Sequence, residues 1–160
     1  MGLLCDYFLA SNDEEAAATI DWLGGPRQPP APRGVLRRQK AAPRPTVSLP
    51  GIEPAVMMST LENVLTGRSL DELIPQNARS SVAVRDGGER IVMRLSDTLQ
   101  AALAGSDETR LRQAARPWSQ TDEFFGQGDP ALLGGALVDL ATLARRGQSV
   151  SERMYCWVCV

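Results

Sequence analysis

Hydrophobic residues fall along this chain in two kinds of run. Near each end stands a short block with apolar side chains at nearly every position: Leu3–Leu9, interrupted by Asp6 alone, and Met154–Val160. The second block is rich in β-forming types. Successive strand residues face opposite sides, so Met154, Cys156, Val158 and Val160 share one face and Tyr155, Trp157 and Cys159 the other. Neither face is polar, which predicts an interior strand covered on both sides, beside Leu3–Leu9.

Between the ends the apolar positions follow a helical period. Ser11 stands as an N-cap, with Glu14 completing a capping box and Asp13, Glu14 and Glu15 in the first turn. Ala16, Ala17, Ile20 and Leu23 form its inward stripe, and Gly24-Gly25 stops it. A second helix begins at Pro54, turns Val56, Met57, Thr60, Leu61, Val64 and Leu65 inward, and ends at Gly67. Ser69 caps a short turn through Ile74 that Pro75 closes. Ser96 or Asp97 caps a helix burying Leu99, Ala102 and Leu103. Ser106 or Asp107 caps the next, with Leu111, Ala114 and Ala115 inward and Pro117 interrupting or ending it. Trp118–Phe125 begins a further short helix. Asp129 and Pro130 open the last one, which runs to about Arg146 before Gly147 and carries Leu132, Leu133, Ala136, Leu137, Leu140 and Leu143 on its apolar face.

The remaining strands are Thr46–Leu49 and a hairpin of Ser81–Arg85 and Glu89–Leu95 around Asp86-Gly87-Gly88. Helices and strands do not alternate regularly. The order predicts a single α+β domain over 1–160, its mixed or mainly antiparallel sheet having the N- and C-terminal strands central and several helices packed on it. Residues 26–45 hold six prolines and few large apolar side chains, and read as a Pro/Arg-rich loop or partly disordered excursion.

Charge singles out that same segment. The chain has 17 basic and 19 acidic residues, yet Arg27, Arg33, Arg37, Arg38, Lys40 and Arg44 fall together without an acid, giving +6 against −8 elsewhere. Sixteen of the 17 basic residues are Arg in an Ala/Pro-rich chain, so arginine content by itself argues little for phosphate binding. The stretch has no aromatics for base stacking, and an acidic body repels a phosphate backbone, so nucleic acid is disfavoured as partner. Arg33, Arg37, Arg38 and Lys40 are the candidate contacts to another protein.

The chain has no histidine, which excludes imidazole acid–base chemistry, the Ser-His-Asp arrangement and any zinc site needing His. Cys156-Trp-Val-Cys159 matches C-x-x-C, but no helix follows it to activate a thiol, and strand alternation points the two sulfurs apart. Buried structural thiols are the plainer reading. Asp6, in an otherwise apolar strand, either meets a partner or serves a site, because an unpaired buried carboxylate is costly. Asp6, Tyr7, Tyr155 and Trp157 are therefore the candidates for a pocket, against the plainer reading of core aromatics. The glycine pairs read as turns, without the context of a nucleotide loop. No catalytic, metal or cofactor-binding set emerges.

No stretch approaches the 18 apolar residues of a membrane span. Cys5 lacks a leader's charged and apolar regions, Asp6 stands where myristoylation wants Ser or Thr, and Trp157 where a prenylation box needs Cys. Three cysteines fit a reduced compartment. A cytoplasmic protein is expected.

Three stretches resemble the YfbM-like family of small bacterial proteins: Met1-Gly-Leu-Leu-Cys-Asp-Tyr-Phe-Leu-Ala10 before an acidic helix start, Leu61-Glu-Asn-Val-Leu-Thr-Gly67, and the Leu140–Gly147 helix leading into an apolar strand. The Trp-Asp and His that commonly precede Leu-Thr-Gly in that family are absent. The resemblance implies an α+β domain of bacterial origin, and carries over no activity and no site residues. The chain as a whole reads as a non-enzymatic protein-binding or regulatory module, of the kind that neutralises a toxin. The alternative is a small-molecule binder or enzyme using a pocket near Asp6, Tyr155 and Trp157.

Overall fold

The computed structural model describes residues 2–31 and 42–160. Its framework is a five-stranded sheet in the order β2-β1-β5-β4-β3, made of β1 (Leu4–Ala10), β2 (Thr46–Ser48), β3 (Ser81–Arg85), β4 (Arg90–Arg94) and β5 (Arg153–Cys159). Every pairing is antiparallel. β5 is the middle strand and pairs with β1 along its whole length, from Leu4 opposite Cys159 to Ala10 opposite Arg153.

Alternation along β1 and β5 divides the core in two. Cys5, Tyr7, Leu9, Met154, Cys156 and Val158 face a helical layer of α2 (Val56–Thr66), α4 (Asp97–Ala104), α5 (Glu108–Ser119) and α6 (Pro130–Ser149). Met58, Leu61, Leu99, Leu103, Leu111, Trp118, Leu137 and Leu140 fill that layer, all buried. Each such side chain contributes about 1.5–3 kcal/mol by leaving water. Phe8, Ala10, Val92, Tyr155 and Trp157 face the other way, onto Ala16 and Ile20 of a thin cover formed by α1 (Asp13–Ala18) and the 3-10 turn Thr19–Asp21. A strand covered on both sides has no use for a polar face, which is why Met154–Val158 carries none; Val160, expected inside, lies beyond β5 and is exposed.

Local chemistry sets most element ends. The Ser96, Asp107 and Asp129 side chains accept from the first-turn amides of α4, α5 and α6. Gly67 closes α2 at φ 75°, a left-handed conformation that favours glycine. α2 begins two residues beyond Pro54, and the Glu53 carboxylate caps it by accepting from the amides of Ala55, Val56 and Met57 at 2.6–2.7 Å.

Several sequence expectations are corrected. The cap of α1 is Asn12, not Ser11: its side chain accepts from the Glu15 amide at 2.8 Å, while the Ser11 amide donates to the Glu15 carboxylate. Leu23 is 94% exposed and Trp22 is buried in its place. The helix tightens to three residues per turn at Thr19, so the 3.6-residue stripe no longer extends to position 23. Leu132 is exposed because it lies about 100° round α6 from Leu133, at the rim of the buried face.

Pro75, expected to close its helix, lies inside α3 (Leu70–Ala78), and Pro117, expected to interrupt or end its helix, lies inside α5. Side chains just beyond hold the turns. Asn77 Nδ2 donates to Ser59 Oγ at 2.8 Å, and the buried Trp118 indole donates to Met57 O at 3.1 Å. α6 also runs through Gly147, which is buried rather than terminal. Of the two C-terminal cysteines, Cys156 is buried and Cys159 only half-buried.

Candidate functional site

The sheet divides the four residues expected to share a pocket. Tyr7 faces the helical layer, where its hydroxyl donates to Ile52 O at 2.6 Å. Burial, followed by the neighbouring Cys156 and Cys5 thiols, pushes that hydroxyl well above its ordinary pKa. Asp6, Tyr155 and Trp157 lie on the opposite face. Tyr155 stacks near Phe8, with centroids 5.8 Å apart, and donates to Asp13 Oδ1 at 2.8 Å. Its pKa is also raised, by burial first and then by that bond to a carboxylate.

Asp6 and Trp157 are direct cross-strand neighbours, and Ser48 stands opposite Asp6 on β2. The Ser48 hydroxyl donates to Asp6 Oδ1. Gly25, at φ 66°, closes over the pair: a β-carbon there would lie 3.1 Å from Asp6 Oδ2 and 3.4 Å from the Trp157 ring. Trp157 Nε1 is buried with no partner among the described residues. Ser48, Asp6, Trp157 and Gly25 thus form a packed row rather than a constellation converging on a reacting group.

The two cysteines of the C-x-x-C are no more convergent. Cys5 and Cys156 share the helical face, Cys159 the other, and burial raises the Cys156 thiol well above its ordinary pKa. Among the described residues, no group of three or more His, Cys, Asp and Glu could hold a metal ion. No described helix is long and apolar enough to cross a membrane.

One charged cluster escaped the sequence reading. Glu62 of α2 is fully buried and accepts from Ser96 Oγ at 2.6 Å, from Thr98 Oγ1, and from Arg68 Nη1 at 3.0 Å. It ties the C-terminal half of α2 to the start of α4. Nothing in a helix of apolar neighbours announces such a residue, because its partners come from another element.

The basic candidates Arg33, Arg37, Arg38 and Lys40 lie outside the described residues. The two ends of their segment are described, and they are fastened together beside β2. The Arg44 amide donates to Pro26 O at 2.8 Å, and the Arg44 guanidinium pairs with Glu15 at 3.2 Å. Slight burial raises the Glu15 carboxyl, but the Ser11 amide and the Arg44 charge outweigh it and hold its pKa below the ordinary value.

Beside this junction runs a groove of about 530 Å³, lined by Arg27, Pro45, Thr46, Val47, Ser48, Asp139, Thr142, Leu143 and Arg146. One wall is the outer edge of β2. The other is a polar stripe on α6, since positions 139, 142 and 146 fall on one side of a helix. Arg27 reaches in from the turn that covers Asp6, and its Nη2 donates to Thr46 O at 3.4 Å. Arg145 is committed elsewhere, donating to Ala104 O and Ser106 O at 3.1 and 2.6 Å. Arg146 has no carboxylate within salt-bridge distance among the described residues, nor has Arg27. The signal available in the sequence was the spacing Asp139–Thr142–Arg146 on a largely apolar helix.

No protein-family model matches the chain, and neither a curated protein nor a solved structure matches it. The likeness to the YfbM-like family therefore rests on the residues quoted for it.

Proposed function

We propose that this chain is a protein-binding module that holds an acidic segment of a partner in the groove between β2 and α6. The observation that carries this reading is the pair of exposed guanidiniums, Arg27 and Arg146, lining one groove without carboxylate partners among the described residues. An arginine offers a planar fork of donors matched to a carboxylate. The basic run Arg33–Lys40 joins the described chain next to this groove: Ala42 and Arg44 border an adjoining recess that Arg146 also lines. Electrostatic recognition of this kind acts mainly on the rate of encounter and on partner choice. Asp139, about 10 Å along α6 from Arg146, disfavours an acid at its own end and so limits how the segment lies.

The pocket reading around Asp6 has less support, because Asp6 is engaged by Ser48 and covered by Gly25. Fluorescence anisotropy with a labelled glutamate-rich peptide tests the proposal. Binding should weaken as salt is raised and fall at least tenfold in the double variant Arg27→Glu/Arg146→Glu, with Arg112→Glu, which lines a separate recess at the start of α6, as the comparison. Equal loss in both variants, or no binding by the unmodified protein, would sink the reading.

A further inference from the structure

The backbone at this groove is as informative as its charge. Leu49 N–H donates to Cys5 O and Gly51 N–H to Leu3 O, each at 2.9 Å. In an antiparallel pair, residues that exchange hydrogen bonds alternate with residues that do not. Positions 47 and 49 therefore turn their peptide groups towards β1, and positions 46 and 48 turn theirs outward. Thr46 O is the outward acceptor that Arg27 meets. The Ser48 N–H and C=O face the groove with no partner among the described residues.

Resting on the acid-binding reading above, we propose that the partner's segment binds as an added sixth strand along the outer edge of β2. An open edge offers a row of unpaired donors and acceptors, and an extended peptide satisfies them by lengthening the sheet. The opposite edge is less suited. β3 carries a register irregularity between Ser81 and Ala83, and Arg85 at its end is drawn to Asp21 at 3.2 Å. Bulges and charges of that sort blunt an edge.

The placement of the two arginines adds a requirement on the ligand. Arg146 belongs to α6, in the layer on the Tyr7 face, whereas Arg27 follows Gly25, which covers the Asp6 and Trp157 face. The backbones that carry them thus approach the β2 edge from the two sides of the sheet. Side chains of an added strand alternate between those sides. A segment with carboxylates at neighbouring positions reaches both arginines; one with acids only at every second position reaches one.

The test uses the full chain and a six-residue peptide with adjacent glutamates flanked by valines. Two further forms are needed: one with every amide N-methylated, and one with its glutamates separated by single valines. Strand addition predicts that N-methylation, which leaves the charge unchanged, weakens binding at least tenfold. Separating the glutamates should weaken it several-fold. On the protein side, Ser48→Pro removes only an outward amide and should bind at least tenfold more weakly than Ser48→Ala, which likewise lacks the hydroxyl. If Ser48→Pro fails to fold, the peptide series still decides. Binding indifferent to N-methylation overturns strand addition and leaves acid recognition standing; no binding of the unmodified peptide overturns both.

Discussion

Gly147 of α6 lies against Leu9 of β1 so closely that a β-carbon on it would fall 2.8 Å from Leu9 Cδ2 and 2.9 Å from Glu152 O. Beside them the Gln100 side chain bridges two backbone groups, donating to Glu152 O at 3.0 Å and accepting from Met154 N at 3.1 Å. The helix and the sheet meet here without space for a methyl group. Replacing a helical glycine by alanine ordinarily stabilises by about 1 kcal/mol. At Gly147 the sign should reverse, with Gly147→Ala destabilising by about 1–3 kcal/mol through overpacking. Urea denaturation gives the answer directly: a raised midpoint would show that this contact yields at little cost.

Glu62 supplies a second expectation. It is fully buried and its ion-pair partner Arg68 is about a third exposed. Removing one member of a buried pair strands the other groups, here two hydroxyls and a guanidinium that still reaches water. Glu62→Ala should cost about 3 kcal/mol, the low end for such a deletion. A loss under 1 kcal/mol in equilibrium unfolding would mean that the hydroxyls of Ser96 and Thr98 repack freely.

The tyrosines predict the alkaline limit of stability. Tyr155 and Tyr7 both have folded-state pKa values above the ordinary value near 10. A group with a raised folded pKa contributes stability that is whole below its unfolded pKa and is lost as the pH climbs towards the folded one. Stability should therefore hold up to about pH 10 and fall beyond it. Tyr155→Phe should cost about 1 kcal/mol at neutral pH, for the lost bond to Asp13, and flatten the alkaline fall. Melting temperatures of both proteins from pH 8 to 12 test this; parallel curves would contradict it.

Thiol labelling separates the cysteines. Cys5 and Cys156 are buried on the helical face and burial raises the Cys156 thiol, whereas Cys159 is half-buried at the C-terminal end of β5. Reaction with a thiol reagent should give one fast equivalent in the folded protein, at Cys159, and all three in urea. Rapid labelling of Cys156 would show that β5 opens.

Much of the architecture was legible in short stretches of sequence. The two-sided apolar runs of β1 and β5 place them at the centre of the sheet, because a strand without a polar face must be covered twice. The cap Asp129, the pairs of candidates that contain the caps Ser96 and Asp107, and the left-handed Gly67 act within a few residues of backbone, so they are readable there. Pro75 misled, and Pro117 left two outcomes open, for the same reason in reverse. The lost hydrogen bond is local, but Asn77 and Trp118, which hold the turns, bond to Ser59 and Met57 on a different helix.

The candidate site divides along that line. By itself the sequence determined the α+β class, the interior position of Met154–Val158 within the expected Met154–Val160, and the concentration of positive charge between Arg27 and Arg44, since these depend on periodicity and composition. Only the tertiary structure decided that Ser48 and Gly25 close on Asp6, that Glu62 is enclosed, and that Arg27 and Arg146 line the same groove beside β2. Strand register sets which peptide groups of β2 point outward, and the packing of α6 on the sheet brings position 146 to the groove that position 27 also lines. Both arise from contacts between residues far apart in the chain, which no single stretch encodes.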